Sequence, residues 1–288
     1  MSLKYTCPGC GTPLGYEGLC WKCKCERERN AALAWTPEQI AEKQKNLIQN
    51  IQRLADMEDP EFADFWHLLS YLDAITPETD LVFLCEPNNP TGVTAGRPLL
   101  LQILRRCRET GTRLVLDECF GDLLDDPESH TLKGELEAYP NLLILKAFTK
   151  LYAMAGIRLG YALCADRALL ERMYLAGQPW SVSVPAQAAG AAALRETAYR
   201  ERVRSLVRRE RPCLAKRLGT LGLRVVPGEA NYLLFQSPVS LGEPLARRGI
   251  LLRSCDNYIG LDETWYRTAV RTRRQNQRLV EALEEIVK

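Results

Sequence analysis

The stretch NLLILKAFTK occupies residues 141–150 and contains the pattern that decides the fold. Its first eight residues are almost entirely apolar, which predicts a buried β-strand. Two similar runs precede it, LVFLCEP at residues 81–87 and RLVLDECF at residues 113–120, and a shorter one, GYALCA, follows at residues 160–165. Strands of this kind, separated by helical segments, predict a parallel sheet that is covered by helices.

Helical segments separate these strands and continue toward the C-terminus. Residues 97–110 have a helical pattern, and Gly111 supplies a stop signal at their end. Residues 185–218 are rich in Ala and Arg and are predicted to be mostly helical. The runs LRVVP, NYLLFQ and YRTAVRT then alternate with helices, the last of which is predicted at residues 273–287. This alternation predicts a smaller α+β domain at the C-terminus.

The character of the sequence changes along the chain, and the changes predict four parts. Residues before the first strand are cysteine-rich and then helical in pattern, whereas those after it alternate between strands and helices. The four predicted parts are a cysteine knuckle at 1–30, a helical segment at 31–78, a partial large domain at 79–218 and a small domain at 219–288.

Two cysteine pairs lie close to the N-terminus. Cys7 and Cys10 form one C-x-x-C pair, Cys20 and Cys23 form another, and nine residues separate the pairs. Two such knuckles can present four thiolates in a tetrahedron, which suits a structural zinc ion with no open coordination position. A redox pair and incidental cysteines are the alternatives, and Cys25 could replace Cys23 as a ligand.

The composition argues against several classes of protein. No run of about 18 apolar residues is present, so no membrane span is expected. The first residues lack the basic-then-apolar order of a secretory signal, and the net charge of +2 indicates no nucleic-acid or membrane partner. The chain has 11 cysteines, and six of them are scattered singly from Cys85 to Cys255, which favours a reducing cytosol.

Polar residues with chemical potential follow the predicted strands. Asn89 lies in the sequence NNPTG after the first strand, Asp117 ends the second, Lys150 follows the third, and Arg158 comes eight residues later. Open α/β sheets place their ligand sites beyond the carboxyl ends of the strands. Each residue alone also has an ordinary interpretation, as a turn residue, a helix cap or a solvated lysine. Lys146 competes with Lys150 for the role of the reactive amine.

In this order and context, the residues resemble those of the fold-type-I aminotransferases, which depend on pyridoxal 5'-phosphate (PLP). Within that family the chain is similar to the histidinol-phosphate aminotransferase branch. The strings RSCDNYIGL and YRTAVRTR sharpen the similarity to the threonine-phosphate decarboxylases of that branch. The resemblance covers about residues 75–288 and implies a truncated PLP-transferase sheet followed by a C-terminal α+β domain.

The resemblance implies a function and a set of partners. The expected reaction is the decarboxylation of L-threonine O-3-phosphate in cobalamin biosynthesis, with a small phosphorylated amino acid as substrate and a homodimer as the assembly. An aminotransferase of the histidinol-phosphate type is one alternative, and a non-enzymatic zinc-binding protein is another. Many aminotransferases have a tyrosine three residues after the aspartate, and Phe120 stands there in this chain, which favours decarboxylation.

The resemblance also implies roles for the residues that would hold PLP. Lys150 would be the Schiff-base lysine and the proton shuttle. Asp117 would pair with the pyridine nitrogen, and Asn89 would donate a hydrogen bond to the phenolic oxygen. Arg158, with weaker help from Thr149, would hold the phosphate of the cofactor.

Two further arginines are implied as substrate ligands. Arg267 would take the substrate carboxylate, and Arg253 would take its phosphate or carboxylate end, since a planar guanidinium suits either group. The alternative for both is ordinary surface charge in an arginine-rich tail.

Members of this family carry a further segment before the NNPTG strand. It supplies a Gly- and Ser-containing turn for the cofactor phosphate and an aromatic ring that stacks on the cofactor. Residues 1–74 lack such a turn, so we expect a fusion near residues 74–79, an apolar sheet edge and weakened PLP binding.

Overall fold

A computed structural model describes residues 5–6, 13–14, 72–258 and 260–287 of the 288 residues. The chain divides into two compact units, Met1–Glu58 and Asp59–Lys288. In the first unit, the described residues form an antiparallel pair of short strands, β1 (Tyr5–Thr6) and β2 (Pro13–Leu14). Most of the helical segment predicted at residues 31–78 lies outside the described residues.

Among the described residues, the second unit contains a four-stranded sheet in the order β3-β4-β5-β6. Its strands are β3 (Leu81–Cys85), β4 (Arg113–Asp117), β5 (Leu142–Ala147) and β6 (Gly160–Leu163). The four strands predicted from the apolar runs are confirmed, and β3, β4 and β5 are parallel as expected.

The direction of β6 corrects the prediction of a wholly parallel sheet, because β6 pairs with β5 in the antiparallel sense. The connection between them contains a four-residue helix, α2 (Phe148–Leu151), and a single 3-10 turn. A parallel return needs a crossover that spans the sheet, usually through a full helix. The chain instead reverses beside β5.

Helix α1 (Arg97–Thr110) covers one face of this sheet. Its buried residues Leu100, Ile103, Leu104 and Cys107 recur at helical spacing and pack against the central strands. The helix ends as predicted at Gly111, whose φ of 75° places it in the left-handed region that closes a helix.

Five further helices follow α2 in the described residues. The first three, after α2, are α3 (Arg167–Ala176), α4 (Val184–Ala193) and α5 (Thr197–Thr220), which confirms the helical prediction for residues 185–218. The short α6 (Gly242–Ala246) and the long α7 (Arg273–Val287) complete the described set.

The second sheet is antiparallel, with the order β7-β8-β10-β9. It contains β7 (Arg224–Val225), β8 (Tyr232–Gln236), β9 (Arg253–Ser254) and β10 (Trp265–Ala269). Phe235 and Tyr266 form its buried face together with apolar residues of α5 and α7. The expected C-terminal α+β architecture is therefore present, although the boundaries proposed for the domains stay predictions.

Strand β3 forms one edge of the first sheet in the described part of the chain. Two of its side chains face outward, since Leu81 is 52 % exposed and Phe83 is 54 % exposed. None of the described helices is long and apolar enough to cross a membrane.

Candidate active site

The carboxyl ends of the three parallel strands converge on one edge of the sheet. Asp117 ends β4 and lies in register with Cys85 on β3 and Leu145 on β5. The backbone of Asp117 is held there, because its carbonyl accepts the N–H of Glu86 at 3.0 Å. The loop after β3, the turn after β4 and helix α2 after β5 therefore leave the sheet side by side.

Two lysines compete for the site, and their surroundings separate them. Lys146 is only 9 % exposed, and its Nζ lies 2.8 Å from Glu118 and 3.0 Å from Asp122. Burial disfavours the charge of Lys146, but the two carboxylates outweigh burial and raise its pKa. Lys150, in contrast, is exposed on α2. Lys146 is thus a structural ion-pair partner, and Lys150 is the amine that a ligand can reach.

Lys150 extends over the turn that follows Asp117. Its Nζ lies 4.6 Å from the ring centroid of Phe120, at a distance typical of a cation–π contact. The Cys119 thiol in the same turn is near both charges. Burial and, after it, the Asp117 carboxylate raise the pKa of Cys119 to about 12, while Lys150 acts in the opposite direction. The amine and the carboxylate thus flank the same short turn.

Asn89 is joined to the second sheet through its side chain. Its Oδ1 accepts hydrogen bonds from the Arg267 guanidinium and from the Tyr258 hydroxyl, the latter at 3.4 Å. Within the described part of the chain, its amide Nδ2 donates to no other residue. The amide is therefore oriented with its donor group available.

Tyr232, at the start of β8, connects the two sheets around this edge. Its buried ring meets Phe120 edge-on at 5.0 Å, and the Arg267 guanidinium lies 4.9 Å from the ring centroid. Its hydroxyl donates to the Asn88 carbonyl at 2.7 Å. Burial raises the pKa of this hydroxyl, so Tyr232 stays neutral and acts as a hydrogen-bond donor.

Arg253 and Arg267 are neighbours in the second sheet. They lie directly opposite each other on antiparallel β9 and β10, so that both side chains project from the same face. Burial raises the pKa of the Cys255 thiol, and the positive charges of Arg267 and Arg253 oppose that shift without reversing it. Arg253 Nη2 donates to the Asn257 Oδ1 at 2.8 Å. The two guanidinium groups thus form a paired cationic surface.

The remaining predicted site residues are Arg158 and Thr149, which were assigned to the cofactor phosphate, and four cysteines, which were assigned to a metal. Arg158 is exposed and donates to the Ala155 carbonyl at 2.9 Å, and Thr149 precedes Lys150 on α2. The predicted zinc ligands Cys7, Cys10, Cys20 and Cys23 lie outside the described residues. Within the described residues, no group of three or more His, Cys, Asp and Glu side chains could hold a metal ion.

The family pattern of aminotransferase class I and II matches residues 46–283 of this chain. The chain belongs to this family. The match begins before residue 75, where we expected the resemblance to begin, so residues 46–74 fall inside it. The fusion that we expected near residues 74–79 stays a prediction.

The chain is similar in sequence to a decarboxylase and to histidinol-phosphate aminotransferases. The chain is 40 % identical over 230 residues to the threonine-phosphate decarboxylase of Salmonella typhimurium, which covers 78 % of this chain and 63 % of that protein. It is 34 % identical over 239 residues to a histidinol-phosphate aminotransferase of Nitratidesulfovibrio vulgaris, covering 82 % of this chain and 62 % of that protein. The chain therefore spans less than two thirds of the length of these relatives.

Solved structures of class I and II aminotransferases and related enzymes share the fold. The histidinol-phosphate aminotransferase of Clostridium acetobutylicum has a TM-score of 0.71 at 29 % identity, over 78 % of this chain and 67 % of that one. The L-threonine-O-3-phosphate decarboxylase of Porphyromonas gingivalis has a TM-score of 0.65 at 25 % identity, over 72 % of this chain and 64 % of that one. These likenesses confirm the fold class.

Class I and II aminotransferases use PLP, and the donor set at the sheet edge fits this cofactor. An exposed primary amine is available at Lys150 for the aldehyde, and a carboxylate is available at Asp117 for the pyridine nitrogen. The free amide donor of Asn89 suits a phenolic oxygen. The amine, the carboxylate and the amide thus suit the aldehyde, the pyridine nitrogen and the phenolic oxygen of PLP, respectively.

Several contributors to this site of the aminotransferase fold were missed in the sequence. Tyr232 is the first apolar residue of the run NYLLFQ, where it resembles an ordinary core aromatic. Tyr258 lies within the string RSCDNYIGL, which was the available signal for it. His130 lies in the polar stretch DDPESH, which gave no signal for it, yet its side chain is only 16 % exposed and contacts Glu86.

Proposed function

We propose that the chain binds PLP at the edge formed by Asn89, Asp117 and Lys150, and that it decarboxylates L-threonine O-3-phosphate. The observation that carries the proposal is the separation of the two lysines. Lys146 is buried between Glu118 and Asp122, which leaves Lys150 as the exposed amine over the turn that follows Asp117. The similarity to a threonine-phosphate decarboxylase at 40 % identity supports the choice of reaction.

Each residue at the edge has a distinct task in this proposal. PLP, when bound, supplies an electron sink for the negative charge that the departing CO2 leaves on the substrate. Lys150 would hold the aldehyde end and would deliver a proton from its Nζ to the α-carbon, where a C–H bond replaces the bond to the departed CO2. Asp117 keeps the pyridine nitrogen protonated, and Asn89 donates Nδ2 to the phenolic oxygen. Thr149 and Arg158 hold the phosphate end.

The paired arginines of the second sheet fit a substrate that has two anionic groups. Opposite residues on antiparallel strands have Cβ atoms about 4.5–5.5 Å apart. Threonine phosphate carries a carboxylate and a phosphate on a short skeleton, so each guanidinium can take one group. We assign the carboxylate to Arg267, which lies next to Asn89, and the phosphate to Arg253.

Transamination is the second candidate, and the similarity to histidinol-phosphate aminotransferases supports it. Phe120 favours decarboxylation, because it offers no hydroxyl to the phenolic oxygen. Product analysis separates the two reactions. Release of CO2 from carboxyl-labelled threonine phosphate, without a requirement for a keto acid, is the expected result. Amino transfer to a keto acid with the carboxyl label retained would replace the decarboxylase assignment.

A structural zinc ion on Cys7, Cys10, Cys20 and Cys23 is also part of the proposal, and the spacing of the two cysteine pairs supports it. Metal analysis of the purified protein is expected to find one zinc per chain. Replacing Cys7 and Cys10 together by Ser should remove the zinc, whereas Cys213→Ser, at an exposed free thiol, should retain it.

The setting of the protein is proposed from its thiols and its family. Six cysteines in the described residues are free, which fits a reducing cytosol. A homodimer is the assembly that the family resemblance implies, and light scattering on the purified protein measures it directly.

A further inference from the structure

A buried carboxylate closes the loop that carries Asn89. Glu86 follows β3 and is only 1 % exposed. Its Oε2 accepts the backbone N–H of Ala95 at 2.8 Å, nine residues further along the chain. Loop 87–95 is therefore closed by a side chain at its own beginning, and Asn89 lies inside the closed loop.

The other oxygen of Glu86 meets His130, which comes from a separate segment. The Nδ1 of His130 lies 3.2 Å from Glu86 Oε1. On the opposite side of the ring, Nε2 lies 3.8 Å from Glu229 Oε2. One imidazole thus lies between the carboxylate of Glu86, at the end of β3, and that of Glu229, in the segment that precedes β8.

Glu229 leads back to the same loop. Its Oε1 accepts the hydroxyl of Thr94 at 2.6 Å, and its backbone N–H donates to the Gly92 carbonyl at 2.8 Å. Glu86 and Glu229 therefore hold loop 87–95 at Gly92, Thr94 and Ala95, with His130 between their carboxylates. The Asn88 end of the loop is held by Tyr232.

The energetic cost of this arrangement points to a specific task. Burial raises the pKa of Glu86, and the Ala95 N–H and His130 oppose that shift. A buried carboxyl group is costly unless it is hydrogen-bonded, and an apolar residue would fill the same space without this cost. An apolar residue could not, however, accept the Ala95 N–H and so fix the backbone of the loop in one position.

We propose that Glu86, His130 and Glu229 are positioning residues that fix loop 87–95 and thereby aim the Asn89 amide at the phenolic oxygen of the cofactor. The inference rests on the proposed PLP site. It extends the site to three residues that touch neither the cofactor nor the substrate in that proposal.

The first test compares Glu86→Ala with Glu86→Gln in titrations of PLP, followed by the absorbance of the protein-bound cofactor. Gln keeps an acceptor for the Ala95 N–H, whereas Ala removes it. We expect Glu86→Ala to weaken PLP binding by about tenfold, the equivalent of one lost charge-assisted hydrogen bond, and Glu86→Gln to stay within about threefold. Glu128→Ala, an exposed acidic residue close to His130, serves as the control with unchanged binding.

The second test asks whether the effect passes through Asn89. In an Asn89→Ala background, Glu86→Ala should weaken PLP binding no further, because the residue that it positions is already missing. If the two losses multiply instead, Glu86 acts independently of Asn89 and the proposal is overturned.

Hydrogen exchange separates this inference from the proposed function. In cofactor-free protein, Glu86→Ala should lose amide protection selectively at residues 88–96, with residues 273–287 unchanged. If the wild-type protein binds no PLP, the proposed function is wrong, and hydrogen exchange alone then tests whether Glu86 closes the loop. Unchanged protection at residues 88–96 in Glu86→Ala would overturn that closure. If Glu86→Ala does not fold, Thr94→Val removes one of the same contacts at nearly constant volume and should show the same selective loss.

Discussion

At the scale of the residue, two lysines four positions apart have opposite environments. Lys146 is enclosed by carboxylates, whereas Lys150 projects from the one-turn helix α2 over an aromatic ring. The strand-to-helix change between them causes the difference, because Lys146 still belongs to β5 while Lys150 lies beyond it. Chemical reactivity at this site is therefore decided by where a strand ends.

Replacement of Lys150 tests the reactive amine directly. Purified protein with excess PLP should show cofactor absorbance that disappears in Lys150→Ala, because the covalent link needs this amine. Lys133→Ala, at an exposed lysine outside the site, should retain the absorbance. Retention of the full signal in Lys150→Ala would assign the chemistry to another amine.

Replacement of Lys146 should change stability and its pH dependence. The pKa of Lys146 in the folded state lies above the usual 10.5, so its stabilising effect is present below that pH and is lost as pH rises through the folded-state pKa. Lys146→Met should cost about 3–5 kcal/mol near neutral pH, since it leaves a buried carboxylate without its partner.

Urea unfolding at about pH 8 and about pH 11 measures this dependence. The wild-type free energy of unfolding should fall more between the two values than that of Lys146→Met. Equal losses in the two proteins would mean that the ion pair with Glu118 and Asp122 contributes nothing.

At the scale of the element, the segment before β8 packs directly on loop 87–95. A Cβ atom at Gly228 would lie 2.7 Å from the Thr91 carbonyl oxygen and 2.9 Å from the Gly92 carbonyl carbon. Backbone atoms cannot move aside as a flexible side chain can, so this position requires glycine. The close approach is what allows Glu229 and Tyr232 to reach the loop.

Gly228→Ala is therefore expected to separate the segment from the loop. It should lower the free energy of unfolding by about 1–3 kcal/mol, as overpacking does elsewhere. Gly219→Ala, in helix α5 with open space around it, should instead raise stability by about 0.5–1 kcal/mol. Urea unfolding of both variants measures the contrast, and similar changes in both would contradict the close packing at Gly228.

Features decided by local sequence were the predictable ones. The end of α1 at Gly111 follows from one glycine, and the apolar runs identify all four strands of the first sheet. The direction of β6 was not predictable in this way, because hydrophobicity does not encode which way a buried strand runs.

Some residues of the candidate site could likewise be predicted from local sequence, and others could not. Asn89, Asp117 and Lys150 follow strands and could be found by position along the chain. The contact between Glu86 and His130 joins residues 44 positions apart, and Tyr232 looks like any core aromatic until Phe120 and Arg267 are placed around it. Contacts of this range depend on packing that no local pattern records.

At the scale of the whole molecule, β3 presents an unprotected edge within the described residues. Phe83 and Leu81 are exposed on this strand, and among the described strands β3 pairs with β4 alone. Exposed apolar edge strands recruit other strands by completing their hydrogen bonds. We therefore expect concentration-dependent self-association of the purified protein.

A charge on this edge should reduce the association. Phe83→Lys places a solvated ammonium in the middle of β3, which opposes pairing of edges. Leu251→Lys, at an exposed apolar residue outside the strands, is the matched control and should leave association unchanged. Sedimentation velocity across a range of concentrations measures both, and an unaffected Phe83→Lys would exclude β3 as the contact.

The hydrogen bond between Arg267 and Asn89 has a consequence for the order of events. If Arg267 binds the substrate carboxylate, as we propose, that carboxylate must first displace the Asn89 amide oxygen from the guanidinium. Binding of the carboxylate would break the hydrogen bond between Arg267 and Asn89, so Asn89 would respond to the presence of substrate. Substrate binding at Arg253 and Arg267 would thus alter the contacts of Asn89, which we propose to hold the cofactor ring, before any covalent bond changes.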